Sequence, residues 1–263
     1  MHYVDEGSGD PVLFVHGTPS WSFEFRHLIK ALAPLYRCIA PDHIGFGLSS
    51  RPHGFAYTPE AHAAALETFV ERLGLSRFAL VVHDFGGPIG LPLALDDRFD
   101  VTRLVIMNTW MWPIDDDRSM ARGARIIGSP LGRLLYAYAN ASLRLLMPTA
   151  YGDRSKLTPA IHRQYLEPFR DRSARVRVLH TLAKALIGSH RFYDDLWHRS
   201  GRLDGRPTLI VWGLKDHAFG TRHLTRWQRR LPQATVLAIP DAGHWPHEES
   251  PAEVADAIRA FLE

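Results

Sequence analysis

Three side chains with the chemistry of a covalent hydrolase, Asp84, Asp216 and His244, each follow an apolar run in this 263-residue chain. Asp84 lies in Val82-His83-Asp84-Phe85-Gly86-Gly87, between the run Phe78 to Val82 and the segment Pro88-Ile89-Gly90-Leu91, which reads as a helix start. This is a strand, a sharp turn and a helix with a carboxylate at the apex. Such a turn lifts one side chain above the end of a sheet, and the glycines beside it let backbone and substrate approach. Asp216 lies in Trp212-Gly213-Leu214-Lys215-Asp216-His217, and His244 in Pro240-Asp241-Ala242-Gly243-His244-Trp245. A carboxylate is already ionised, so Asp84 needs no base before it attacks carbon and forms an ester. His244 can then take a proton from the water that hydrolyses the ester. Asp216 can fix the tautomer of His244 and stabilise the imidazolium that forms. Asp84 alone reads equally well as a loop carboxylate or a helix N-cap. The three residues together, in this order, form a set.

The elements that must position them can be read from the hydrophobic pattern. Val12 to Val15, Tyr36 to Ala40, Phe78 to Val82, Val101 to Met107, Pro207 to Gly213 and Thr235 to Ile239 are short continuous apolar runs, suited to strands buried on both faces. Helices are predicted over Phe23 to Leu32, from Thr58 (N-cap) to Leu73, after the elbow to about Asp96, over Thr221 to Leu231 and over Pro251 to Leu262. Ser250 and Glu253 have the spacing of a capping box. Met111 to Arg202 holds no buried strand pattern; Leu131 to Leu146, Pro159 to Phe169 and Val176 to Ile187 read as helices. Strands alternating with helices predict an α/β fold, a mostly parallel sheet flanked by helices, with ligands bound beyond the carboxyl ends of the strands. Residues 1–110 and 203–263 make the core, and 111–202 an inserted helical cap folded over the carboxyl edge of the sheet.

Composition narrows the class. The chain is 46% hydrophobic and 22% charged, an ordinary globular balance. One cysteine, Cys38, excludes a disulfide framework and reads as a buried inert thiol. No stretch approaches the ~20 apolar residues that span a bilayer. The first residues lack the basic and apolar regions of a signal peptide, so a cytoplasmic location is expected, with no membrane partner. Asp115 to Arg206 carries 17 Lys/Arg against 9 Asp/Glu, and the rest of the chain 14 against 19. The cap is therefore the basic part, either as a solvated helical surface or as an entrance for anions. The basic residues are scattered and show no zinc-finger or RNP-like spacing, which excludes nucleic acid as the expected partner. Fifteen histidines include no local His-Glu-x-x-His pair, so no metal is expected.

The set His16-Gly17-Thr18-Pro19-Ser20-Trp21-Ser22-Phe23, Asp42-His43-Ile44-Gly45-Phe46-Gly47-Leu48-Ser49, Val82-His83-Asp84-Phe85-Gly86-Gly87, Trp212-Gly213-Leu214-Lys215-Asp216 and Gly243-His244 resembles the haloalkane dehalogenase branch of the α/β-hydrolase fold, with epoxide hydrolases as close relatives. The order nucleophile, acid, histidine is that of the fold. The motifs run from about residue 10 to the end, and are specific for the fold and the Asp nucleophile but less so for the substrate. The resemblance implies a hydrolase acting on a small molecule with water and no cofactor. It places backbone donors at the N–H groups of Thr18 and Phe85, holding the carboxylate oxygen that does not attack. Asp216 is preferred as the acid because the strand before the cap ends in Asn108, whose amide carries no charge.

Two positions depart from the family. Its members resemble one another in a Trp directly after the nucleophile and, in many, an Asn after His-Gly, both holding the leaving halide. Here these are Phe85 and Thr18. Fluoroacetate dehalogenases have Arg after the nucleophile, which Phe85 does not match either. Trp110, Trp112, Phe219 and Trp245 are the candidates for a halide or substrate pocket, with an indole N–H of Trp110 or Trp112 as the replacement donor. Epoxide hydrolases need no halide site and protonate the epoxide oxygen with cap tyrosines, for which Tyr136, Tyr138, Tyr151, Tyr165 and Tyr193 are available. A ligand-binding member with little turnover is the third reading. Neighbouring groups read as scaffold: His83 packed beside its strand, His16 and Asp42 bracing loops, Asp241 and His217 beside the triad, and Glu248 and Glu249 as a solvated approach to the last helix. The short N-terminus predicts a reduced sheet edge.

Overall fold

A computed structural model describes all 263 residues. Seven strands form one sheet in the order β1-β3-β2-β4-β5-β6-β7: β1 Tyr3–Glu6, β2 Pro11–Val15, β3 Arg37–Pro41, β4 Arg77–Asp84, β5 Asp100–Thr109, β6 Thr208–Gly213 and β7 Thr235–Ile239. All neighbours pair in parallel except β1, which runs antiparallel to β3. Parallel strands need covered faces, and the period of two delivers them. Leu13, Val15, Leu80, Val82, Ile106 and Ile210 point into one core, and Val12, Phe14, Ala79, Val81, Val105 and Val211 into another. The second core is closed by α1 (Arg26–Leu32) and by the last helix, Pro251–Leu262. The first is larger. It takes in α2 (Pro59–Arg72) and α3 (Gly86–Ala94) and continues upward through Trp110, Trp112, Tyr136, Leu143, Tyr165 and Tyr193 into the insert. Sheet and cap therefore share one apolar interior.

Between β5 and β6 every regular element is helical. α4 (Arg118–Gly128) starts on Asp117, whose side chain accepts from the N–H groups of Ser119 and Met120. α5 (Pro130–Leu134) starts on Ser129 and widens into a π-turn over Leu135–Ala139.

Several sequence expectations are corrected. The N-terminal edge strand β1 was not read from the sequence, because it is too short and too exposed to show an apolar run. α4 and the helix His190–His198 were not expected, because arginines and polar residues obscure their apolar faces. The predicted helix Leu131 to Leu146 breaks at Asn140, which has φ +48°. Ser250 forms no capping box. Its side chain makes no cap bond, and its own N–H donates to the carbonyl of Pro246 in the preceding short helix.

Candidate active site

The ladder of β4 with β5 shifts register between His83 and Asp84, its last paired residue on β4. Asp84 has φ +52°, a left-handed conformation costly for a residue with a Cβ and found where structure fixes a functional turn. Two contacts hold it. The Thr109 hydroxyl at the end of β5 donates to the Asp84 carbonyl. The Thr18 N–H, in the loop after β2, donates to Asp84 Oδ1 at 2.7 Å. Gly17 is required for that approach, since a Cβ there would lie 2.1 Å from Asp84 Oδ1. The other expected donor, the Phe85 N–H, makes no hydrogen bond to the carboxylate in this structure, whose Oδ1 is held by the Thr18 N–H. The Phe85 ring is buried against Trp110.

The loops after β6 and β7 bring the other two residues to the same edge. His244 Nδ1 lies 2.8 Å from Asp216 Oδ2, and His244 Nε2 lies 3.4 Å from Asp84 Oδ2. Burial opposes a charged imidazole, but the two carboxylates outweigh it and raise His244 to about 10. Burial also opposes charge on Asp216, yet His244, the Asn108 amide and the Ala218 N–H hold its carboxyl below the usual value. Asn108 is the residue the sequence reading undervalued. Its Nδ2 donates to Asp216 Oδ2 at 2.9 Å, while its Oδ1 accepts from the Gly213 N–H at 2.9 Å. It ties β5 to β6 and orients the acid, a role its position at a strand end before the cap could have signalled.

The pocket candidates separate. Trp110 stacks on Phe219 at 4.8 Å and meets Phe85 edge-on at 4.8 Å, and Phe219 lies 5.6 Å from the His244 ring. The Trp110 Nε1 is buried without a partner. Trp112 points elsewhere. It packs on Trp197, His223 and Trp227 and lines a polar surface cleft with Asp116, Arg222 and Arg226. Trp245 meets His244 edge-on at 4.5 Å, but its N–H is taken by Glu24 Oε2 at 3.3 Å. Among the tyrosines, Tyr193 lies 5.8 Å from Trp110, with its hydroxyl buried and unpartnered. Burial first, and then the carboxylates of Glu60 and Asp84, keep that phenol protonated far above its usual range. Burial, opposed by Ser142 and reinforced by Asp84, raises Tyr136 to about 12. Tyr138 is 71% exposed, Tyr165 is bound to Glu248, and Tyr151 stacks on Trp245.

Beneath His244 lies a polar layer no local motif announced. His83 Nε2 donates to the His244 carbonyl at 2.7 Å, and His83 Nδ1 faces Glu24 Oε1 at 3.1 Å. Glu24, His83 and His247, distant in sequence, bring potential metal-binding atoms within 4.8 Å of one another, all buried. Glu24 is already engaged by His83 and Trp245. Glu248 and Glu249 are buried rather than solvated. Glu248 binds Arg26 and Tyr165; Glu249 accepts from the N–H groups of Gly152, Asp153 and Gly243. Glu249 thereby fastens the cap to the loop carrying His244.

Residues 10–251 match the family described as alpha/beta hydrolase fold. The chain is 35% identical over 260 residues to haloalkane dehalogenase 2 of Mycobacterium tuberculosis, covering 98% of this chain and 90% of that protein. It is 33% identical over 270 residues to the cis-3-alkyl-4-alkyloxetan-2-one decarboxylase of Shewanella oneidensis, covering all of this chain and 85% of that one. The crystal structure of haloalkane dehalogenase DbeA from Bradyrhizobium elkani superposes with a TM-score of 0.87 at 24% identity, over 99% of this chain and 94% of the other. An aspartate at a left-handed elbow, a histidine between two carboxylates and relatives aligned over nearly the whole length agree: the chain belongs to the α/β-hydrolase fold family, in its haloalkane dehalogenase-like branch.

Proposed function

We propose that the protein hydrolyses a carbon–halogen bond in a small molecule, through an ester on Asp84. The observation that carries this reading is the division of labour between the two carboxylate oxygens. Oδ1 is held by the Thr18 N–H, and Oδ2 is turned toward His244. Oδ2 attacks carbon, the carbon–halogen bond breaks, and the halide leaves with the electron pair. Negative charge grows on the departing atom, so a donor aimed at it acts mainly in the transition state. The buried, unpartnered N–H of Trp110, whose ring packs on Phe85, supports Trp110 as that donor.

The ester changes the base. In the free protein Asp84 and Asp216 both help hold a proton on His244. Alkylation removes the charge of Asp84, and with it one of the two attractions, so the imidazole becomes easier to deprotonate when a base is required. Neutral His244 then takes a proton from water. The hydroxide attacks the Asp84 carbonyl carbon, the Thr18 N–H stabilises the oxyanion, and the alcohol departs with regeneration of Asp84. Asp216 and Asn108 keep the imidazole oriented throughout.

A second reading rests on Tyr193 and on Phe85. With Phe85 after the nucleophile, the pocket lacks one halide donor, while the buried Tyr193 hydroxyl offers a proton to an oxygen leaving group. A strained oxygen ring, an epoxide or an oxetan-2-one like that in the name of the decarboxylase relative, would use Asp84 in the same place. Incubation with haloalkanes, epoxides and cis-dialkyl oxetan-2-ones, reading halide, diol and carbon dioxide, decides among them. Halide release dependent on Asp84 is the expected result. Turnover of oxygen rings alone would reverse the order of the two readings.

A further inference from the structure

The cap carries a helical face turned the wrong way for a soluble domain. Of the protein's eleven exposed large apolar side chains, seven fall between residues 126 and 146: Ile126, Leu131, Leu134, Leu135, Tyr138, Leu145 and Leu146. The other four, Met1, Tyr3, Leu35 and Leu48, belong to the N-terminal part of the core. Leu131, Leu134, Leu135 and Tyr138 have the i, i+3, i+4, i+7 spacing of one helix face, and they are 60%, 51%, 40% and 71% exposed. The opposite side of the same helical run, Gly132, Tyr136 and Ala137, is buried. An apolar stripe of this kind facing water marks an interaction surface.

The charge around it selects the partner. From Arg118 to Gly152 the sequence has five arginines and no acidic residue. Arg122, Arg125, Arg133 and Arg144 are exposed and take no part in the protein's ion pairs. The Arg172 guanidinium lies 4.7 Å from the centre of the Tyr138 ring. A second copy on this face, related by a two-fold axis, would bring the same arginines together with no carboxylate of residues 118–152 to pair them. An anionic lipid surface matches both features: headgroups for the arginines and acyl chains for the leucines.

We infer that the outer face of α4, α5 and the following helical turns docks on anionic lipid, laying the cap on the membrane surface without spanning it. No helix is long and apolar enough to cross a membrane, and a surface-lying helix needs no such length. The expectation of no membrane partner rested on the missing span and does not reach this mode. The buried side of the docked helix carries Tyr136, so the same short helix that meets the lipid also closes the apolar interior shared by sheet and cap.

The test is flotation of the full chain with vesicles, which reads no turnover and so is independent of the chemistry assigned to Asp84. Vesicles of phosphatidylcholine with about one third phosphatidylglycerol should carry the protein upward at low salt, and pure phosphatidylcholine should not. Binding should weaken as salt rises. The double variants Leu134→Glu/Tyr138→Glu and Arg133→Glu/Arg144→Glu should each lower partitioning at least ~10-fold while keeping the thermal midpoint. The arginine pair lies wholly on the surface, so the test survives if the first variant folds poorly. No flotation with anionic vesicles, or flotation unchanged in the arginine variant, overturns the proposal. A dimer in size-exclusion chromatography that Leu134→Glu dissociates, without vesicle binding by the parent, would assign the face to a second copy instead.

Discussion

Trp110→Phe is the substitution that separates the halide reading from its rival. The Trp110 N–H is buried with no partner, edge-on to Phe85 and stacked on Phe219, which lies beside His244. Phenylalanine keeps a ring in the stack and deletes the donor. A hydrogen bond to a charged group contributes about 1.5–3 kcal/mol, and ~1.4 kcal/mol is a factor of ten. The loss should therefore be roughly 10- to 150-fold. Because the halide acquires its charge in the transition state, kcat and kcat/KM for a bromoalkane should fall together, with little change in KM. Chloride and bromide affinity, followed by quenching of tryptophan fluorescence, should weaken by a similar factor. The thermal midpoint serves as the control for lost packing. Dehalogenation with unchanged kcat and unchanged halide affinity would refute the assignment of Trp110. Turnover of oxygen rings insensitive to the same change would show that their leaving oxygen is served elsewhere, with Tyr193→Phe as the matching variant.

Asp84→Asn should abolish turnover, whereas His244→Ala should let the first step proceed and leave an alkyl adduct on the peptide containing Asp84, visible by mass spectrometry; a clean peptide after incubation with an accepted substrate would sink the two-step scheme. Phe85→Trp should add a second donor and tighten halide binding, and unchanged chloride affinity would indicate that the space beside Asp84 does not receive the halide. Asn108→Asp should lower kcat, because it replaces the Nδ2 donor to Asp216 with a second buried carboxylate; wild-type kcat across the pH profile would remove Asn108 from the triad's support. Burial first of all depresses His16, His43, His62 and His247, with His43 at about 4. Below pH 6.5 the unfolded chain binds protons these rings refuse, so their contribution is complete above that value and is lost as pH falls through the folded values. The drop for His43 alone is about 3 kcal/mol at ~1.4 kcal/mol per unit. His244, raised to about 10, acts with the opposite sign: its contribution is complete below pH 6.5 and is lost as pH rises through 10. A thermal midpoint flat from pH 4 to 7 would contradict the acid-side assignment.

The sequence by itself determined the sheet and the three candidate residues at its carboxyl edge, because both are written locally. A strand buried on both faces needs an unbroken apolar run, as in Val12–Val15 and Thr208–Gly213, and covered faces force parallel neighbours. An elbow needs small residues around its apex, as Gly86 and Gly87 provide, so Asp84 was legible from its neighbours. The loops after strands then carry Asp216 and His244 to the same edge. Other features depend on residues far apart in sequence, which no window can compare. Glu248 and Glu249 look like solvated acids, yet Arg26, Tyr165 and the backbone of the cap bury them. Trp110 and Trp112 stand two residues apart and read as equivalent indoles. Only tertiary packing sets one ring, its N–H buried and unpartnered, in the aromatic cluster around His244 and turns the other to a polar cleft. The outward stripe of Leu131, Leu134, Leu135 and Tyr138 shows the same limit. Its helical period is visible in the sequence, but an apolar period says only that a helix has a face to cover. Which side the fold covers is decided by what packs beneath it, and here Tyr136 was chosen and the leucines were left outside.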